Sequence, residues 1–125
     1  ILTDHSRQDT SQAIFQLAHE VVHLLSPTGG ANAPVIEEGL SALFQERANQ
    51  IYNLNLRIVS KPYIVATELA NELLRGQPDI IRNLRKKEPT FSNWTPDFLV
   101  SQANISSSLA VQLCEPFLDF ETRIK

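Results

Sequence analysis

The clearest hydrophobic pattern in the chain lies near its amino terminus. Over residues 10–25, apolar side chains recur at intervals of three and four positions, namely Ala13, Ile14, Leu17, Ala18, Val21, Leu24 and Leu25. This spacing places them along one side of a helix, and polar residues at 9–11 precede it as candidate caps. Because Pro27 disfavours helical geometry in the residue before it, the pattern predicts a helix that ends near Ser26.

A second helix is predicted after a short loop. Asn32 is its candidate cap, Pro34 is tolerated in a first helical turn, and the pattern continues to about Ile51. Its apolar stripe consists of Ile36, Leu40, Leu43 and Phe44. Residues 53–58 then alternate between polar and apolar, which indicates a strand, although few possible partner strands are visible.

The remaining patterns are short and helical. We expect helices over 62–75, over 78–87, from 95–97 onward, and over 106–115. No repeat, low-complexity tract or long linker interrupts them. The predicted fold is therefore mainly α with at most a minor β element. All 125 residues are expected to form one domain, which either stands alone or belongs to a longer protein.

Composition and charge argue against several classes of partner. With 42% hydrophobic residues, the chain can bury a core without disulfides. Its 11 basic and 14 acidic residues are well mixed and give a net charge of −3, so nucleic acid is not an expected partner. No apolar run approaches the roughly 18 residues that cross a bilayer, so no membrane partner is expected either.

A basic cluster, the single cysteine and one histidine near the amino terminus are each explained more simply by structure than by function. The basic residues at 82–87 are interpreted as a last helical turn that offsets the helix dipole, in preference to a contact with nucleic acid or with an acidic partner. Cys114, the single cysteine, lies among apolar neighbours and is expected to be a buried free thiol. A chain without disulfides is compatible with a reducing compartment, and we favour the cytoplasm, although such a chain can also function outside the cell. His5 is expected to be a surface histidine and not an extra ligand.

The candidate chemistry lies inside the first predicted helix, where His19-Glu20-Val21-Val22-His23 forms an HExxH sequence. Residues four apart lie above one another on one helix face, so two imidazoles can share a metal ion. Glu20 lies beside such an ion and can act as a general base toward a metal-activated water. The alternative is two ordinary histidines on an amphipathic helix, with Glu20 solvated.

Two histidines leave a catalytic zinc site incomplete, because such a site usually has three protein ligands and an open position for water. No histidine lies downstream of His23, and Cys114 is far away on an apolar segment. A carboxylate is therefore the natural third ligand, and Glu37 and Glu38 begin the next predicted helix. Taken alone, this acidic pair would be interpreted as complementing the helix dipole.

The HExxH sequence, followed by Glu-Glu-Gly-Leu-Ser-Ala-Leu-Phe at 37–44, resembles the gluzincin metallopeptidases of the zincin clan. The resemblance extends over residues 16–46. It implies a small zincin-like helical domain that hydrolyses peptides or proteins with Zn²⁺ as its cofactor. It names a clan and leaves substrate specificity and oligomeric state undefined.

In the aminopeptidase branch of this clan, the third-ligand glutamate directly precedes a glycine. The resemblance therefore implies that His19, His23 and Glu38 are the zinc ligands, with Glu20 as the general base. Gly39 follows Glu38, and a glycine there also lets two helix backbones approach closely. On a helical wheel Glu37 lies nearer the apolar stripe than Glu38, so Glu37 stays an alternative ligand.

Two departures from the family pattern leave open questions. Family members often carry an acid four residues after the third ligand to orient a histidine, whereas this chain has Ala42, so we expect a backbone carbonyl to orient it instead. Zincin peptidases usually hold substrate against a sheet that precedes the HExxH helix, and little sequence precedes it here. The alternative function is therefore a metal-binding regulatory or interaction module without turnover.

The oxyanion-stabilising residue is not assigned by the sequence. Tyr52 and Tyr63 are candidates for a phenol that stabilises the oxyanion, and Tyr63 is the better of the two. Both are interpreted first as tyrosines that bridge core and solvent.

Overall fold

A computed structural model describes the backbone of residues 4–26 and 33–124, with side chains from residue 7 onward. Within these residues the chain forms seven α-helices and one short 3-10 turn, and no strand. The helices are α1 (Asp4–Leu25), α2 (Val35–Tyr52), α3 (Lys61–Leu74), α4 (Ile80–Lys87), α5 (Pro96–Ala103), α6 (Ser107–Cys114) and α7 (Phe117–Ile124), and the 3-10 turn is Phe91–Asn93. The predicted mainly α class is confirmed.

The helix boundaries agree with the sequence patterns except at a few ends. Helix α1 begins at Asp4, earlier than the predicted residue 10, and ends at Leu25 as expected. Helix α2 begins after Pro34, which is its N-cap residue and not part of its first turn. The predicted cap Asn32 and the side chain of His5 lie outside the described part of the chain.

The strand predicted over 53–58 is wrong. Asn53 and Asn55 have left-handed φ angles of 51° and 59°, which interrupt the extended backbone that a strand requires. The backbone N–H groups of Leu54 and Leu56 instead donate to the backbone and side-chain oxygens of Asn49, at 3.2 and 2.9 Å. The segment therefore turns back onto the end of α2, with Leu54 buried.

Helix α2 lies at the centre of the fold. It packs against α1 on one side and against α3 on another, whereas α1 makes no comparable contact with any other described helix. The main core extends from α2 and α3 through α4, α5 and α6. No described helix combines the length and apolar content that a bilayer crossing requires.

Helix α7, which the sequence did not predict, anchors the start of α2. The backbone N–H of Val35 donates to the carbonyl of Glu115 and that of Phe117 to Ala33, both at 2.9 Å. Phe117 and Phe120 pack in a second core cluster with Val35. These contacts fix the first turn of α2, which carries the two candidate glutamates.

The approach of α2 to α3 depends on Gly39. A Cβ atom at this position would lie 2.5 Å from the carbonyl oxygen of Ala66 and 3.2 Å from the Cβ of Ala70. Only a glycine leaves room for this contact, so the expected close approach of two helix backbones is confirmed.

Candidate metal centre

His19 and His23 meet the Glu38 carboxylate between helices α1 and α2. His19 Nε2 lies 3.1 Å from Glu38 Oε2, and His23 Nε2 lies 3.3 Å from Glu38 Oε1. The ligand atoms of the three residues all lie within 4.8 Å of one another. The residues predicted as metal ligands therefore form one cluster that can hold a metal ion.

Glu37, the alternative third ligand, contacts His23 from another side. Its Oε2 lies 2.6 Å from His23 Nδ1, the ring nitrogen that does not face Glu38. The side chain is only 1% exposed, in agreement with its position near the apolar stripe. Among the described residues it is thus Glu38 that joins the two histidines in the cluster, while Glu37 holds the second histidine.

Gln45 sets the orientation of His19. Its side-chain Nε2 donates to the backbone carbonyl of Phe15 at 3.1 Å, which turns its Oε1 toward His19 Nδ1, also at 3.1 Å. Because an amide oxygen only accepts, His19 Nδ1 must carry a proton in this arrangement. A neutral His19 then presents the lone pair of Nε2 to the centre of the cluster, as a metal ligand requires.

The expectation that a backbone carbonyl orients a histidine is therefore wrong. Side-chain oxygens hold the Nδ1 atoms of both rings, Gln45 for His19 and Glu37 for His23. The sequence contains one signal for Gln45, since it follows Glu38 by seven residues and so lies two turns along the same side of α2. The family pattern directed attention to the position four residues after Glu38, where Ala42 is buried.

Glu20, the predicted general base, lies on the exposed side of α1. Glu38 contributes to the raised pKa values of both His19 and Tyr63, and the negative charge of Glu20 adds a smaller contribution to each. The predicted proton acceptor for water is thus an accessible carboxylate on the helix that carries both histidines.

Tyr63 reaches the cluster from α3. Its hydroxyl donates to Glu38 Oε2 at 3.1 Å, and its ring stands edge-on to His19 with centroids 5.6 Å apart. Burial, together with the charge of Glu38, raises the pKa of the phenol, so the hydroxyl keeps its proton. Tyr52 is 64% exposed at the end of α2 and takes no part in the cluster.

The charges of the cluster support one another. Burial acts to lower the pKa of His19, but hydrogen bonds to Glu38 and Gln45 outweigh it and the pKa is raised. Burial likewise acts to raise the pKa of Glu38, but the hydrogen bond from His19 and the charges of both histidines outweigh it and the pKa is lowered. The Glu38 carboxylate is thus ionised at neutral pH, as a metal ligand must be.

Glu37 is the unusual group of the site. Burial raises the pKa of its carboxyl, and the hydrogen bond to His23 only partly offsets this. Its Oε1 atom is buried without a hydrogen-bond partner among the described residues. An unpaired buried polar atom costs roughly 1–3 kcal/mol. Such a cost is more easily explained at a functional site than in an ordinary helix contact.

Other chemically active residues lie away from the cluster. Cys114 is free and half-buried on α6, and burial raises the pKa of its thiol to about 11. It is therefore a thiol at neutral pH and outside the candidate metal centre. Of the basic residues at 82–87, three form the last turn of α4, as the helix-dipole interpretation predicts.

Comparisons of the chain with protein-family models, with curated proteins and with solved structures found no match.

Proposed function

We propose that this protein is a zinc-dependent hydrolase that cleaves peptide bonds. The observation that carries the proposal is the convergence of His19, His23 and Glu38 within 4.8 Å, from two helices that the sequence separates by a loop. The three side chains thereby supply three ligand atoms at one point between α1 and α2.

The donor set fits zinc in a catalytic role. Two imidazole nitrogens and one carboxylate oxygen are a combination that catalytic zinc sites use, and it leaves a fourth position open. Both Nδ1 atoms are held by side-chain oxygens, so the Nε2 atoms are directed to the cluster. Such outer contacts are typical of functional metal centres. A site built only for magnesium or calcium would be expected to offer oxygen ligands alone.

Each residue of the site has a separate task in the proposed reaction. Bound zinc supplies a Lewis acid that polarises a carbonyl and lowers the pKa of water to about 7. Glu20 accepts the proton of the attacking water and passes it to the leaving amine. The Tyr63 hydroxyl donates its single proton to Glu38 at 3.1 Å and so steadies that carboxylate.

The substitution Glu20→Gln tests the proposal. The variant is expected to bind zinc as the unchanged protein does and to lose at least about 100-fold in peptide cleavage, because a general base contributes roughly 10² to 10⁴ in rate. Cleavage of a mixed peptide library is followed by mass spectrometry, and bound zinc by elemental analysis. Glu46→Gln, an exposed glutamate on α2, is the matched control and is expected to retain both properties.

Two results would contradict the proposal that the protein is a hydrolase. One is equal cleavage by the Glu20→Gln variant and the unchanged protein. The other is the absence of any cleavage by a protein that holds one zinc ion per chain.

The second candidate function is a metal-binding regulatory or interaction module with the same zinc ligands and no turnover. One observation favours it: no strand accompanies α1 within residues 4–26 and 33–124, so a substrate has no sheet edge there on which to lie. The two functions differ in the outcome of the cleavage assay, since the module binds zinc and leaves every peptide intact.

A further inference from the structure

A concave surface lies on another part of the molecule than the candidate metal centre. A groove of about 810 Å³ opens between α1, α2 and α4, lined by eight apolar and four basic side chains. Val22 lines it, one residue before His23, and consecutive side chains point about 100° apart around a helix axis. None of His19, His23, Glu37 or Glu38 borders the groove.

The apolar floor of the groove remains open to solvent. Leu25 is 52% exposed and Phe44 is 42% exposed, and both line the groove. Leu43 and Leu74 lie further inside and are partly buried against that core. Large apolar side chains that stay half in water at the edge of a concavity are typical of a surface that another molecule covers.

The charge of the groove has a single sign. Its four charged residues are Arg47, Arg82, Arg85 and Lys86, and no acidic side chain lines it among the described residues. The chain as a whole carries a net charge of −3, so the groove is basic on a molecule that is acidic overall. A ligand that neutralises them must be acidic.

The cations are placed so that a ligand can reach them. Arg85 is held by the backbone carbonyls of Leu25 and Pro89, and its guanidinium lies 5.7 Å from the centre of the Phe91 ring. Arg82 and Lys86 are exposed, and neither forms an ion pair or hydrogen bond with another described residue. Arg85 is therefore held in place in the groove, whereas Arg82 and Lys86 remain available to a ligand.

We propose that this groove binds an amphipathic helix of a partner protein, with leucine-like residues against the floor and glutamates or aspartates against the basic rim. The open apolar floor requires an occupant broad enough to cover Leu25 and Phe44 together. A docked helix does this with side chains spaced three and four residues apart, whereas a single alkyl chain leaves part of the floor in water. The occupant would also pack against three helices in the way helices pack in a bundle.

The experiment uses a synthetic helical peptide of about 18 residues with leucines along one face and glutamates on both flanks. The chain is expected to bind it with a Kd of roughly 1–10 µM, measured by fluorescence anisotropy. A matched peptide with lysine in place of every glutamate is expected to bind at least tenfold more weakly. Raising the salt concentration is expected to weaken the binding of the acidic peptide, since salt screens exposed charges.

Variants of the chain locate the binding site. The double variant Arg82→Glu with Lys86→Glu is expected to bind the acidic peptide at least tenfold more weakly, because both residues are exposed and line the groove. The matched control, Arg57→Glu with Arg75→Glu, makes the same charge change at exposed residues outside the groove and is expected to bind as the unchanged chain does. Circular dichroism checks that each variant is folded.

Several results would overturn the proposal. These are equal binding of the acidic and lysine peptides, equal weakening by the two double variants, or no binding of the acidic peptide. Binding of dodecanoate in the absence of peptide binding would assign the groove to a small amphiphile. A groove closed by a second copy of the chain, seen as a dimer that the Arg82→Glu and Lys86→Glu changes dissociate, would also contradict it.

Discussion

Gln45 connects two helices through the two ends of one amide. It accepts from His19 Nδ1 and donates to the Phe15 carbonyl, so α2 orients a residue of α1. Replacing Gln45 with alanine removes this support, and the affinity for zinc is expected to fall roughly 10- to 100-fold, as is usual for residues that orient a metal ligand. Competition with a chromophoric chelator measures the affinity.

Two further variants distinguish orientation from general damage. Gln45→Glu keeps an oxygen for His19 and is expected to recover most of the affinity. Gln50→Ala changes an exposed residue of the same helix and is expected to have no effect. Equal affinity in Gln45→Ala and the unchanged protein would show that His19 needs no such partner.

The coupled charges of the cluster predict how stability depends on pH when a chelator removes metal. The raised pKa of His19 contributes stability that is complete below its ordinary value of 6.5 and is lost as the pH rises through the folded value. The lowered pKa of Glu38 contributes stability that is present above 4.5 and is lost as the pH falls through its folded value. The raised pKa of Glu37 contributes stability that is complete below 4.5 and is lost as the pH rises through its folded value.

The chelated protein is therefore expected to unfold at a higher urea concentration at about pH 5.5 than at about pH 8. His19→Gln is expected to reduce this difference. With zinc in excess the trend is expected to reverse, because imidazoles must lose protons to bind a metal. A chelated protein whose urea midpoint is higher at the alkaline pH would contradict the assignment of these groups.

At the residue scale, the sequence predicted the centre of the site better than its surroundings. The four-residue spacing of His19 and His23, together with the family resemblance that favoured Glu38 over Glu37 because it precedes a glycine, selected three residues that converge. The contacts of Gln45 and Glu37 with the histidines join positions 26 and 14 residues apart. Apart from the seven-residue spacing of Gln45 from Glu38, polar contacts between different helices leave no periodic signal along the chain, so Glu37 could not be derived as a partner of His23 in this way.

Among the helices, the pair α2 and α3 carries the sharpest steric constraint. Gly39→Ala would place a Cβ 2.5 Å from the backbone oxygen of Ala66, which cannot rotate away. The variant is expected to lose roughly 1–3 kcal/mol of stability, although alanine favours an isolated helix over glycine by about 1 kcal/mol. Urea denaturation measures the change.

The Gly39→Ala variant is also expected to bind zinc more weakly, because α3 carries Tyr63 and the adjacent residue of α2 is Glu38. Asn71→Ala on the exposed side of α3 raises helix propensity without a new contact and serves as its control. An unchanged or higher stability of Gly39→Ala would mean that the two helices can separate at little cost.

The accuracy of the predicted elements follows from the strength of each pattern. Amphipathic stretches located helices α1 to α6 to within a few residues at most ends, and in the structure Thr95 and Ser106 cap α5 and α6. The strand predicted from the alternation over 53–58 does not form because two asparagines there take left-handed φ angles, which asparagine tolerates better than most residues. Helix α7 is short and gains its stability from Phe117 and Phe120 in a core that the sequence alone does not reveal.

For the whole molecule, the candidate metal centre joins a peripheral helix to the rest of the fold. Helix α1 packs chiefly on α2, and the cluster takes two ligands from α1 and one from α2. Zinc at about 100 times its Kd would stabilise the folded state by roughly 2.7 kcal/mol, which corresponds to a rise in Tm on the order of 10 °C. Differential scanning fluorimetry with and without zinc measures it.

Two variants test whether the rise in Tm with zinc comes from the cluster. Glu38→Gln is expected to lose the thermal shift, and Glu46→Gln is expected to keep it. A shift of equal size in Glu38→Gln would place the stabilising zinc at another site.

The zinc content of the protein purified without added metal tests the central claim most directly. Elemental analysis after extensive dialysis is expected to give about one zinc ion per chain, retained in Glu20→Gln and lost in His23→Ala and Glu38→Ala. A chain that retains no zinc, or that retains the same amount when His23 and Glu38 are replaced, would contradict the assignment of this cluster as a metal centre.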